Sequence, residues 1–272
     1  MSGPNVPRWL QSAARTVLDR SHEKLRTYAA PASLDAAEAL KAAQRTGGEI
    51  EQLFWSHQGR QAHKWPHYFP IYDRLFSKHK GGFATQNGQV RPLRFLEIGV
   101  SHGGSLQMWR QYFGPEAVIF GIDVDPRCAA IDDANLCVRI GSQADPEFLH
   151  KVIDEMGGVD IVLDDGSHVA EHQRASLDIL MPLVTEGGLY VVEDVQTSYW
   201  RKWQGGYQRA GTFIEIAKSV IDDMYARYHV GGHERAFAAH EIHSTSFYDG
   251  IVVFEKASRP ASYHARVGTP SF

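Results

Sequence analysis

Past residue 92 the chain alternates two hydrophobic rhythms. Short, continuous apolar runs (RFLEIGV, AVIFGIDVD, CVRIGS, VDIVLDDG and GLYVVEDV) are separated by stretches of helical spacing, SLQMWRQYF, PEFLHKVIDEM and EHQRASLDILMPLV. A run that is apolar at every position is a strand covered on both faces. Helices between such strands carry the chain back to add each strand parallel to the last. The pattern predicts an α/β fold with a Rossmann-like, doubly wound, mostly parallel sheet. After a helix expected around 211–228, HEIHSTSFYDGIVVFEKA reads as two strands joined at Tyr248-Asp249-Gly250. Asp-Gly between apolar strands is a hairpin signal, so a seven-stranded sheet should end in an antiparallel pair.

Residues before 92 follow a helical period. Trp9, Leu10, Ala13, Ala14, Val17 and Leu18 recur at that spacing, and SLDAAEALKAAQR has Ser33 as N-cap and Gly47-Gly48 as its stop. Between 51 and 80 come Phe54, Trp55, Trp65, Tyr68, Phe69, Tyr72, Leu75 and Phe76. So many aromatics exceed what a solvated helix needs; they should pack on the main domain, on a partner subunit, or over a ligand. The stretch 81–92, GGFATQNGQVRP, reads as a linker, and the tail RPASYHARVGTPSF as loosely held.

The chain has 272 residues, a formal net charge of -4 and two cysteines, Cys128 and Cys137. This charge gives no global reason to expect nucleic acid as a partner. Two cysteines are too few for a disulfide scaffold and form no CxxC pair, and a cytoplasmic, reduced protein is the expectation. The first residues lack a signal-peptide pattern, and no run reaches the ~18 apolar residues needed to cross a membrane.

In a doubly wound sheet, ligands sit beyond the carboxyl ends of the strands, so the residues closing each apolar run carry the information. The first run closes on Glu97-Ile98-Gly99, followed by Val100-Ser101-His102-Gly103-Gly104-Ser105. Gly99 permits a tight turn and close backbone approach. Neither GxxxxGK[ST] nor GxGxxG is present, because Ser101 stands where the second glycine of the dinucleotide fingerprint belongs. Glu97 would repel a pyrophosphate but can accept a hydrogen bond from an ammonium group. The second run closes on Asp123, placed to bind ribose hydroxyls. The third closes on Gly141-Ser142-Gln143, whose polar side chains can reach an adenine edge. A ribose-binding acid without a pyrophosphate clamp points to an adenosyl ligand lacking phosphates, and S-adenosylmethionine fits.

The fourth run ends Asp164-Asp165-Gly166-Ser167-His168 and the fifth ends Glu193-Asp194. These tips belong to strands expected to be neighbours, so Asp165, Glu193 and Asp194 should converge. Three carboxylates so close require a compensating charge, and oxygen-only ligands favour Mg²⁺, Mn²⁺ or Ca²⁺. His168 opens the next helix and suits a general base, since histidine is the side chain whose ordinary pKa lies nearest neutrality. A metal on an acceptor hydroxyl would lower that hydroxyl's pKa, and His168 could then take its proton.

The segments FLEIGVSHGGSLQMW, GIDVD, DIVLDDGSH and GGLYVVEDVQTSYW resemble the metal-dependent sugar O-methyltransferases of bacterial natural-product and polysaccharide pathways. That family includes macrolide deoxysugar and mycobacterial polysaccharide enzymes, and the resemblance spans roughly residues 93–200. It implies Mg²⁺-dependent methyl transfer from S-adenosylmethionine to a hydroxyl of a sugar or glycosylated acceptor. It further implies Asp165, Glu193 and Asp194 as metal ligands and His168 as base. Glu97, Gly99, Ser101, Asp123, Ser142, Gln143 and Asp164 would line the donor pocket, and Tyr199 and Trp200 would face the acceptor. HKWPHYFPIYDRLF is similar, more loosely, to a lid-like segment of relatives. The expected organisation is an N-terminal helical or lid segment (1–90), a class I methyltransferase domain (91–258) and a C-terminal tail (259–272), assembled as a homo-oligomer.

Other readings stay open on the sequence. Proteins named cephalosporin hydroxylases share the broad family, and an NAD-dependent oxidoreductase is the alternative on the same fold, against which Ser101 weighs. A non-catalytic module is a third. The pairs His63/His67, His229/His233 and His240/His243 have zinc-compatible spacing but no nearby cysteine or HExxH frame, so packing or solvated histidines are expected. Trp200 and Trp203, with Gly205-Gly206, form an aromatic loop whose faces can stack on sugar rings.

Overall fold

The computed structural model describes residues 36–132, 135–230, 242–258 and 263–272. The helix expected around Trp9–Leu18, the cap at Ser33 and the histidines at 233 and 240 lie outside the described residues. Strands are numbered β1 (Phe83–Ala84), β2 (Val90–Arg91), β3 (Arg94–Ile98), β4 (Val118–Asp123), β5 (Cys137–Ile140), β6 (Val159–Asp164), β7 (Val184–Val192), β8 (Ile242–Phe247) and β9 (Val252–Lys256). Helices are α1 (Ala36–Thr46), α2 (Glu49–Ser56), α3 (Phe69–Phe76), α4 (Gly104–Phe113), α5 (Pro146–Met156), α6 (Ala170–Leu180) and α7 (Phe213–Met224).

Seven strands form one sheet in the order β5-β4-β3-β6-β7-β9-β8, parallel except for the final β9 and β8. The chain enters at β3, moves outward to β5, then returns to add β6 on the other side of β3. That reversal opens a crevice between the ends of β3 and β6. The register fixes what meets there. Ile98 pairs with Asp164 and Asp164 with Val192, so Gly99, Asp165 and Glu193 leave the sheet side by side.

Each face of the sheet carries its own core. Leu149, Leu177, Leu180, Phe213 and Val220 from α5, α6 and α7 cover one face. Tyr68, Phe69, Tyr72, Phe76, Trp109 and Phe113 cover the other, so the aromatic stretch 51–80 packs on the main domain. Tyr72 stacks on Phe76 at 5.7 Å and meets Trp109 edge-on at 5.4 Å. An eight-residue helix such as α3 is unstable alone. Burial of Phe69, Tyr72 and Phe76, each contributing roughly 1.5–3 kcal/mol before entropy, holds it in place.

The hairpin expected at Asp249-Gly250 is present, with Gly250 at φ +80°. The stretch 81–92 is not a plain linker, however. Phe83–Ala84 and Val90–Arg91 pair as a small antiparallel ribbon around Asn87-Gly88, with Gly88 at φ +80°. The Asn-Gly turn supplies the positive φ that a tight hairpin needs, a signal masked by the polarity around it. No helix among the described residues is long and apolar enough to cross a membrane.

Candidate active site

A cavity of about 470 Å³ lies at the carboxyl ends of β3, β4, β6 and β7, where the strand order reverses. One wall is the turn Gly99-Val100-Ser101-His102 with Asp123; another is Asp165, Gly166, His168, Glu193 and Asp194. The third wall is the segment 61–65, from Gln61 to Trp65.

The glycine turn is held from behind. Asp123 Oδ2 accepts from the Val100 and Ser101 amides at 2.9 and 3.0 Å, and Oδ1 accepts from the Asp125 amide. Those bonds orient the carboxylate, and its remaining lone pairs stay open to hydroxyl donors. Gly99 has φ +94°, and a Cβ there would meet the Asp165 carbonyl oxygen at 2.2 Å. Only glycine lets the β3 turn pass so close to the β6 turn.

Asp165, His168 and Asp194 each place one ligand atom within 4.8 Å of the others, as a metal site requires. His168 Nε2 lies 3.6 Å from Asp194 Oδ2 and 4.0 Å from Asp165 Oδ1. Both His168 (φ +57°) and Asp194 (φ +54°) occupy the left-handed region, as does Ser101 (φ +49°). Non-glycine residues avoid that region, and such strain gathers at functional sites when the surroundings hold it. Here Thr197 does the holding: its amide and hydroxyl both donate to the Asp194 carbonyl, and its hydroxyl also approaches the His168 carbonyl at 3.3 Å. Tyr68 OH donates to Asp194 Oδ1 at 2.7 Å. Burial, and then the Asp194 charge, push that phenol's pKa far up and keep it a donor.

Glu193, expected as the third metal ligand, also lines the cavity, and its carboxylate is held by a lysine. Its two oxygens lie 3.0 and 3.1 Å from Lys64 Nζ, and its carboxylate is buried. Lys64 also donates to Asp165 Oδ2 at 2.7 Å and to Glu97 Oε1 at 3.5 Å. Glu97, expected beside the donor, is fully buried, taking further bonds from Ser105 and Trp109. The ammonium that Glu97 was expected to accept from is thus the chain's own. Burial raises the Glu97 and Glu193 pKa values, while Lys64 opposes it. For Lys64, burial favours the neutral amine, but Asp165, Glu193 and Glu97 outweigh it and lift the pKa well above the ordinary range.

Asp164 and Gln143, expected in the donor pocket, lie beneath it. Asp164 is fully buried and accepts from Ser176 Oγ (2.7 Å), Gln143 Nε2 (3.1 Å) and Tyr190 OH (3.2 Å). Gln143 Oε1 in turn accepts from the Ser167 amide. The pair braces the turn that presents Asp165 and His168. Ser142 is exposed, and its Oγ accepts from the Ala144 amide, away from the cavity. Tyr199, 44% exposed, and Trp200 sit beyond the cavity wall on the segment after Asp194, with Trp200 and Trp203 at 5.4 Å. Among the described residues no histidine pair joins a metal cluster other than through His168.

Sequence reasoning missed Lys64 and Tyr68. The available signal was a lysine inside an aromatic-rich run, HKWPHYF: a lysine that cannot reach water from such a run needs buried acids.

A family model described as a methyltransferase domain matches residues 96–195. The chain is 34% identical over 229 residues to the 8-demethyl-8-(2-methoxy-alpha-L-rhamnosyl)-tetracenomycin-C 3'-O-methyltransferase of Streptomyces olivaceus, covering 80% of this chain and 56% of that protein. It is 39% identical over 164 residues to the mycinamicin VI 2''-O-methyltransferase of Micromonospora griseorubida, covering 57% and 39%. The solved structure of MycE methyltransferase from the mycinamycin biosynthetic pathway, in complex with Mg, SAH and mycinamycin VI, superposes with a TM-score of 0.66 at 29% identity, over 88% of this chain and 61% of that one. The chain therefore spans about half the length of the relatives it matches over most of its own.

Proposed function

From the premise that this chain carries a methyltransferase domain over residues 96–195 and has sugar O-methyltransferases of macrolide pathways as homologues, we propose that it methylates a hydroxyl of a glycosylated small molecule. S-adenosylmethionine would be the donor and a divalent cation, Mg²⁺ or Mn²⁺, the cofactor. The observation that carries the reading is the meeting of Asp165, His168 and Asp194 on one wall of a cavity whose opposite wall is the Gly99 turn and Asp123.

The residues fit both groups. Two carboxylates beside an imidazole make an oxygen-rich site suited to a hard cation, with Asp165 and Asp194 as its holders. A cavity of this size accommodates a drug-sized ligand. Asp123 would accept from the ribose hydroxyls, and the Gly99 turn allows close backbone approach. When bound, the cation acidifies the acceptor hydroxyl and the sulfonium supplies the methyl group.

The chain's own part is alignment and proton removal. Asp123 and the turn fix the donor, while Asp194, braced by Tyr68 and Thr197, fixes the acceptor side. His168, held in its left-handed turn, takes the hydroxyl proton at Nε2. Segment 61–65 forms one wall of the cavity. Tyr199 and Trp200, on the segment after Asp194, would offer aromatic faces on which a sugar can stack.

The test is methyl transfer to rhamnosylated tetracenomycin-type and macrolide acceptors, with and without EDTA. Transfer that EDTA abolishes and Mg²⁺ restores is expected. Tight binding of NADH with none of S-adenosylhomocysteine would overturn the reading in favour of an oxidoreductase.

A further inference from the structure

Asp165 is shared between two environments. Its Oδ1 faces His168 across the cavity wall, while its Oδ2 lies 2.7 Å from Lys64 Nζ. Lys64 has a side chain only 2% exposed and reaches Glu193 and Glu97 with the same ammonium. It arrives from outside the sheet: segment 57–65 is anchored by Arg60 N–H to Gln107 Oε1 (2.8 Å) and by Gly104 N–H to the Gln61 carbonyl (3.2 Å). One cation thus neutralises part of a three-carboxylate cluster directly behind the proposed metal position.

We propose that Lys64 is the resident counter-cation of this cluster and sets how tightly the site takes a divalent ion. The inference rests on the metal reading above. Without Lys64, three carboxylates, two of them buried, would crowd together uncompensated, an arrangement that demands positive charge. With it, the carboxylates stay in place before any ion arrives. The ion entering between Asp165 and Asp194 then meets a carboxylate already half-satisfied and an ammonium of like charge nearby. Lys64 is a positioning residue whose contribution is pre-organisation together with weakened affinity.

The experiment measures Mn²⁺ binding to the full chain, following free Mn²⁺ by EPR, in wild type, Asp165→Asn, Lys64→Arg and Lys64→Met. Asp165→Asn should weaken binding, and Lys64→Arg should stay near wild type. Lys64→Met should tighten binding by on the order of tenfold or more. A lysine that merely held the fold would weaken binding when lost. Equal or weaker Mn²⁺ binding by Lys64→Met therefore overturns the inference and leaves the metal site standing. Wild-type Mn²⁺ binding that is absent, or indifferent to Asp165→Asn, overturns both. If Lys64→Met does not fold metal-free, Mn²⁺ present during refolding must restore it, because the ion then supplies the missing charge; failure to do so also overturns the inference.

Discussion

The Tyr68 hydroxyl donates to Asp194 Oδ1 at 2.7 Å, joining a residue before the sheet to one at the tip of its fifth parallel strand, 126 positions later. Asp194 sits in a left-handed conformation, and this bond is one of the forces that aim its carboxylate. Tyr68→Phe removes the bond and keeps the ring in the core. Loss of such an outer partner characteristically costs about 10- to 100-fold in metal affinity or activity. We expect kcat or Mn²⁺ affinity to fall in that range while S-adenosylhomocysteine affinity is unchanged, read by calorimetry beside the transfer assay. A variant with wild-type values in both would show that Asp194 needs no help from Tyr68.

Gly104→Ala should behave against the rule for helices. Alanine ordinarily stabilises a helical position by about 1 kcal/mol over glycine. Here a Cβ would lie 2.3 Å from the Arg60 carbonyl oxygen and 2.4 Å from the Gln61 carbonyl. The substitution must lift segment 60–61 off the α4 terminus and open one wall of the cavity. Weaker S-adenosylhomocysteine binding and faster amide exchange over 60–65 are the expected results. A stabilised, tightly binding variant would mean the segment is not a fixed wall.

Asp164→Ala separates bracing from donor contact. The change strips Gln143, Ser176 and Tyr190 of their shared acceptor in a fully buried place. It should cost about 2–4 kcal/mol of stability by denaturant unfolding. Donor affinity in the folded fraction should change far less than in Asp123→Ala.

His79 gives the fold an acid-sensitive element away from the cavity. Its imidazole is 5% exposed and stacks on Phe83 at 5.4 Å; burial, helped by Lys78, lowers its pKa to about 4. The unfolded chain binds that proton near pH 6.5. The stability associated with the neutral ring is therefore complete above about pH 6.5 and declines as pH falls toward 4. The whole effect is at most about 3 kcal/mol. His79→Phe should flatten the loss of Tm between pH 6.5 and 4 relative to wild type, measured by scanning calorimetry. Parallel pH profiles for the two proteins would refute the assignment.

The sequence on its own determined the layering and the chemistry of the strand tips. Runs apolar at every position permit only strands covered on both faces, and a reversal of strand order puts their carboxyl ends around one crevice. That was enough to bring Gly99, Asp123, Asp165, His168 and Asp194 to one cavity. Tertiary structure alone decided which carboxylates face it. Glu97 and Asp164 close their runs as plausibly as Asp165 does, yet they point into buried bonds, and Glu193 lines the cavity with its carboxylate held by Lys64. The choice depends on Lys64, Ser176 and Tyr190, which come from other parts of the chain. A strand's periodicity records which face of the sheet a residue occupies. It holds no information about a cation that arrives from 33 or 129 positions away, or hydroxyls from 12 and 26, and only the packed chain supplies it.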